Sequence, residues 1–144
     1  MEQVVVVGRG YNFATAFELA LKLKELTYVM ASAYSSADFR HGPIATISEG
    51  LPVILLMPGG AAFADMLDLA QDLRARGAEL LIVTDQPSAH ELATTLLPIG
   101  GSLPEWLSPI TTIVPGQTLA LQVAQVKGFD PDRPRGLQKV TRTL

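Results

Sequence analysis

Gln3-Val-Val-Val-Val-Gly8-Arg9-Gly10 is the stretch that decides the fold. Four consecutive valines leave no polar face, so the segment reads as a strand buried on both sides, not a half-exposed one with alternating polarity. The glycines end it in a tight turn. Residues 13–30 then place apolar side chains at helical spacing among good helix formers, with Asn12 as the expected cap. Strand, glycine turn and helix make the opening of a βαβ unit.

The pattern returns downstream. Residues 31–34 predict a short strand, and residues 38–47 a loop with a helical turn interrupted at Gly42-Pro43. Residues 52–57 and 79–84 are continuous apolar strands, and residues 96–99 a weaker one. Residues 62–76 form an amphipathic helix with a stop at Gly77. Residues 109–127 form another, with Pro115 in an early turn and Gly128 at its end. Such alternation predicts an α/β fold: a three-layer α-β-α sandwich around a doubly wound, mainly parallel sheet of about five strands. One domain is expected over residues 1–128, followed by an extended tail over residues 129–144.

Composition narrows the function. Of 144 residues, 48% are hydrophobic and only 17% charged, so part of the surface is expected to be covered by another subunit or domain. The net charge of −3 comes without any Lys/Arg run, which argues against a nucleic-acid partner. The absence of cysteine excludes disulfides, thiol catalysis and cysteine-based zinc sites, and His41 and His90 are too far apart in sequence for a His-x-x-x-His metal pair. The apolar runs are too short to cross a bilayer and the first has no basic lead-in, so a cytoplasmic protein with no membrane contact is expected.

Gly8-Arg9-Gly10 sits where a dinucleotide fingerprint would, but the third glycine is replaced by Phe13 and no acidic residue ends the next strand. No cofactor is expected. Pro58-Gly59-Gly60-Ala61-Ala62 offers no hydroxyl or lysine to a phosphate and reads as a simple turn. On a helix at about 100° per residue, Glu18, Lys22 and Glu25 fall in one narrow stripe, with Phe17 and Leu21 on one side and Leu19, Leu23 and Leu26 on the other. Spacing alone fits a solvated face whose ion pairs contribute about 0.2–0.5 kcal/mol each. The narrowness of the stripe also suits the floor of a cleft holding an acid/base device. His41 lies in a loop with Asp38, Arg40, Ser35 and Ser36. Near the end of the chain Lys139 stands between Leu137 and Val140, apolar residues that point to a docked tail.

Taken in order, Gly8-Arg9-Gly10, Ala16-Phe-Glu18-Leu-Ala-Leu-Lys22-Leu-Lys-Glu25, Ala33-Tyr34, Arg40-His41-Gly42-Pro43 and Arg133-Pro-Arg135-Gly-Leu-Gln-Lys139 resemble the sugar isomerase (SIS) family. More narrowly, they resemble the second SIS half of the isomerase region in glutamine–fructose-6-phosphate aminotransferases and in related phosphosugar isomerases and deaminases without a glutaminase domain. The resemblance implies that a hexose 6-phosphate moves its carbonyl between C1 and C2. It implies Glu25 as the base, suited to that work by burial among Leu21, Leu26 and Tyr28, with Lys22 holding it and Glu18 orienting Lys22 or touching the sugar. His41 matches a residue that assists ring opening in a neighbouring subunit, and Lys139 matches a tail lysine beside the open-chain carbonyl. Gly8, Arg9 and Gly10 match the substrate-side turn. The family's Ser/Thr-rich phosphate loop is absent, and the expected partners are a sugar phosphate and a missing N-terminal SIS half, a second copy of the chain (the neighbour that His41 would serve), or both. A sugar-phosphate-sensing SIS module without catalysis is the alternative reading.

Overall fold

In the computed structural model, which describes residues 2–101 and 103–136, the valine run is the second strand in a five-stranded, all-parallel sheet. Strand β1 is Gln3–Gly8, β2 Met30–Ser35, β3 Pro52–Leu56, β4 Glu79–Thr84 and β5 Thr95–Pro98, in the order β2-β1-β3-β4-β5. Helices α1 (Asn12–Thr27), α2 (Ser36–Arg40), α3 (Phe63–Ala75) and α4 (Ser108–Val126) complete the chain, with short 3-10 turns between them.

Successive strand residues point to opposite faces, so the valine run feeds two cores at once. Val5 and Val7 join Val53, Leu55, Leu80 and Ile82 beneath α3, through Met66, Leu69 and Leu73, and beneath Phe39 of α2. Val4 and Val6 join Ile54, Leu56 and Val83 beneath α1, through Ala16, Leu19 and Leu23, and beneath Ala120 of α4. The expected three-layer sandwich is thereby realised, with α1 and α4 on one face and α2 and α3 on the other.

Two local expectations need correction. Asn12 does not cap α1; it is the first helical residue, behind Tyr11, and is buried. Its Nδ2 donates to Ser108 Oγ at 2.7 Å, and that hydroxyl donates to the Glu105 carbonyl at 2.7 Å, so the amide ties α1 to the start of α4 instead. Helix α1 also ends at Thr27, not at 30, because Tyr28 turns left-handed and Met30 already pairs with Gln3 in the sheet. Gly8 is required by packing: a Cβ there would stand 2.1 Å from the Asn12 carbonyl oxygen.

Candidate active site

Helix α1 buries Thr15, Ala16, Leu19, Ala20 and Leu23, an i, i+3, i+4 set that turns one side to the sheet and α4. Glu18, Lys22 and Glu25 follow at the border of that buried side. The flanks of the stripe differ from the expected pair of apolar walls. Leu19 and Leu23 are fully buried, whereas Phe17 and Leu21 are 54% and 42% exposed. The charged stripe is therefore the boundary between the protein's core and a bare apolar shelf, and not the floor of a closed cleft. The Glu25 side chain is 29% exposed.

Lys22 Nζ donates to Glu25 Oε2 at 2.8 Å and stands 3.8 Å from Glu18 Oε1. The hydrogen bond to Glu25 is the largest cause raising the ammonium above its usual range; partial burial opposes it, and the charges of Glu25 and Glu18 reinforce it. Lys22 is thus a fixed cation at neutral pH, suited to stabilising negative charge and unsuited to removing protons. An open groove beside it, between α1 and α4, is lined by Ala14, Thr15, Glu18, Pro109, Ile110 and Ile113. Glu18 supplies the one charged side chain of that lining.

The other expected site residues lie apart from this group. His41 is the exposed C-cap of α2. Because α2 packs on the opposite sheet face and follows the C-terminal end of β2, while Glu25 lies near the strands' N-terminal ends, one chain does not bring His41 and Glu25 together. The His41 loop is nonetheless anchored. Arg40 Nη2 donates to the Asp65 carbonyl at 3.0 Å, Ser36 Oγ donates to Asp65 Oδ2 at 2.5 Å, and Arg9 Nη1 donates to Ser36 Oγ at 3.3 Å. Asp65, on α3, is the tie point that the sequence reading missed; nothing in local spacing pairs it with an arginine 25 residues away. Lys139 lies outside the described residues.

Gly8, Arg9 and Gly10 sit at the C-terminal end of β1, where the chain's winding reverses between β1 and β3. Open α/β sheets bind ligands at such a point. Here the crevice, lined by Arg9, Asn12, Met57, Pro58 and Glu105 among others, is served by the chain's own acids. Gly59 N–H donates to Asp85 Oδ1 at 2.7 Å and Ala61 N–H to Glu105 Oε2 at 3.1 Å. Two backbone donors that a phosphate would use at the start of α3 already have carboxylates on them. Among the described residues no cluster of His, Cys, Asp and Glu suits a metal ion, and no helix is long and apolar enough to cross a membrane.

Comparison with known proteins agrees with this architecture. The SIS domain family profile matches residues 1–100. A glutamine–fructose-6-phosphate aminotransferase [isomerizing] of Pyrococcus horikoshii is 42% identical over 133 residues, which cover 92% of this chain and 22% of that protein. Among solved structures, the C-terminal domain of glucosamine-fructose-6-phosphate aminotransferase from Francisella tularensis superimposes with a TM-score of 0.82 at 30% identity, covering 92% of this chain and 38% of that one. A glucosamine-6-phosphate deaminase from Thermotoga maritima superimposes with a TM-score of 0.73 at 27% identity, covering 96% and 40%. The chain therefore spans about a fifth of the curated relative's length and two-fifths of each solved chain.

Proposed function

The chain belongs to the SIS domain family, and from that premise we propose that it is the catalytic half of an enzyme that moves the carbonyl of a hexose or amino-hexose 6-phosphate between C1 and C2. The single observation that carries this reading is the Lys22–Glu25 pair, bonded at 2.8 Å and open to solvent beside an apolar groove. Glu25 takes the proton from the carbon next to the carbonyl, the electron pair moves to the carbonyl oxygen as an enediolate forms, and the same carboxyl returns the proton to the former carbonyl carbon while the proton of the neighbouring hydroxyl passes to the first oxygen and a carbonyl forms at the neighbouring carbon. Lys22 holds Glu25 and offers positive charge to the developing oxyanion. Glu18 keeps Lys22 in line from the groove side.

His41 serves a second copy, since its own Glu25 lies across the sheet. Lys139 brings an amine to the open-chain carbonyl from the tail, residues 129–144, which follows the domain of residues 1–128. In the Gly8–Gly10 turn, Arg9 is the member with a side chain to offer substrate. The phosphate itself is held by a further SIS-type half, because the Pro58–Ala62 turn is already occupied by Asp85 and Glu105. The identity and coverage of the isomerising aminotransferase and deaminase relatives support this assignment.

The test is proton exchange between solvent and the sugar C1/C2 positions in the complete parent protein, with fructose 6-phosphate and glucosamine 6-phosphate. Glu25→Gln should slow exchange by about 10²–10⁴-fold while sugar-phosphate binding stays within about twofold. Equal exchange in mutant and wild type removes Glu25 from the base role, and binding without any exchange in either protein leaves the sensing module as the correct reading.

A further inference from the structure

Helix α2 has five residues, Ser36–Arg40, too few to persist on its own hydrogen bonds. Whatever holds it also sets the place of its C-cap, the exposed His41. Two of the holds are local. Ser35 Oγ accepts the Asp38 N–H at 3.1 Å as an N-cap, and Phe39 is fully buried, its ring centroid 5.3 Å from that of Tyr34. The third comes from another element. Asp65, in the first turn of α3, reaches both ends of α2. At the first end the Ser36 hydroxyl donates to Asp65 Oδ2 at 2.5 Å. At the last end Arg40 Nη2 donates to the Asp65 carbonyl at 3.0 Å and stands 3.9 Å from Oδ1. Arg9 Nη1 donates to Ser36 Oγ at 3.3 Å. An arginine can only donate, so it takes a lone pair of the hydroxyl and leaves the hydroxyl's hydrogen to Asp65. Ser36 is fully buried, so bulk water does not reach that hydroxyl.

We propose that Asp65 is a positioning residue for His41: by stapling both ends of α2 to α3 it sets where the imidazole stands. The role of His41 in opening the sugar ring rests on the functional reading above; the staple rests on the contacts just described. Ser36 and Arg40 are four residues apart, so they share one face of α2, and that face meets α3. The buried Phe39 ring alone would let so short a helix pivot; a contact at each end stops the pivot. The hydroxyl-to-carboxylate bond is about twice as strong as a bond between neutral groups. The platform is firm as well, because Met66, next to Asp65, and Leu69 and Leu73 seat α3 in the core. Reacting groups tolerate little error, and a misplacement of about 1 Å can cost about 100-fold in rate. An exposed imidazole at the end of a five-residue helix is accurate only if that helix is held.

Amide hydrogen exchange in the chain itself tests the staple. The His41 N–H, bonded to the Asp38 carbonyl at 3.2 Å, reports α2, and the amides of Leu69 and Leu73 report α3. Asp65→Ala, at a side chain 41% exposed, and Arg40→Met, at one 35% exposed, should each speed exchange at His41 about tenfold and leave Leu69 and Leu73 unchanged. Asp65→Asn keeps an oxygen for Ser36 and should restore most of the protection. Unchanged exchange at His41 in both variants, or acceleration that spreads to α3, overturns the staple. Proton exchange at the sugar, in the complete parent, tests the positioning. Fructose 6-phosphate is presented as a ring, whereas 5-deoxyfructose 6-phosphate lacks the hydroxyl that closes the ring and needs no opening. Asp65→Ala should slow exchange with the first sugar by roughly 10–100-fold and leave the second unchanged. Equal loss on both sugars, or no loss on either, overturns the positioning role when His41→Asn slows the ring sugar selectively. If His41→Asn itself treats the two sugars alike, the ring-opening reading of His41 falls and takes the positioning role with it, while the amide data still decide the staple.

Discussion

Lys22 lies between two carboxylates on one helix face, 2.8 Å from Glu25 and 3.8 Å from Glu18. The hydrogen bond to Glu25 raises its folded-state pKa, with smaller help from the two charges. A folded value above the unfolded one means that the stabilisation is fully present below about pH 10.4 and is lost as pH rises through the folded value. All three side chains are partly exposed, which limits the effect to about 0.2–1 kcal/mol. Lys22→Met should therefore lose no more than about 1 kcal/mol in urea unfolding at neutral pH, and its deficit should close above pH 10.4. A deficit that persists at high pH would assign the effect to packing of the lysine stem. At this scale the sequence showed the i,i+3 and i,i+4 spacing plainly. It could not show that Phe17 and Leu21 face outward, because a helical projection orders residues around an axis without saying which apolar flank meets the sheet.

Among the elements, strands β1, β3 and β4 were legible because burial on both faces leaves valine, isoleucine and leucine runs that no amphipathic helix produces, whereas the edge strands β2 and β5 carry no such run. The ends of α1 were not legible. Its first residue is spoken for by Ser108, 96 residues later, and its last turn is set by a tyrosine held by Phe129 and Arg135. Local propensity carries no trace of contacts that distant. The pairing of α1 with α4 is equally tertiary and turns on Gly116, where a Cβ would come within 2.8–2.9 Å of the Leu19 methyl carbons. Alanine at a helix interior gains about 0.5–1 kcal/mol over glycine, but overpacking a close contact costs about 1–3 kcal/mol. Leu19 is fully buried and has nowhere to retreat, so the second effect wins. Gly116→Ala should be destabilised by about 1 kcal/mol in chemical denaturation, and Leu19→Ala made in the Gly116→Ala background should cost less than Leu19→Ala alone. Additive losses would show that the two helices do not meet at this pair.

For the whole molecule, the apolar side chains left in water are not scattered. Trp106, Ile110, Val114 and Leu121 are exposed on the outside of α4 and its approach, and Phe17 and Leu21 are exposed on α1, with Glu18 lining the groove between the two helices. A monomer rarely leaves this many large apolar side chains exposed on neighbouring helices. The low charge content anticipated this, but only the fold shows that the surface and the candidate catalytic stripe share one side. The chain spans about a fifth of the length of the curated relative it matches, and under the proposed function a further SIS-type half or a second copy would cover this surface and complete the site. The isolated chain should then bind fructose 6-phosphate weakly and exchange its protons poorly, while the remaining part of the parent, supplied in trans, restores exchange. Ile110→Glu places a charge on this surface at a position 66% exposed, so unfolding stability should move by no more than about 0.5 kcal/mol. Assembly, followed by sedimentation, and exchange should both fail in that variant. If Ile110→Glu assembles and turns over normally, α4's outer face is plain surface and the site must be completed from another direction.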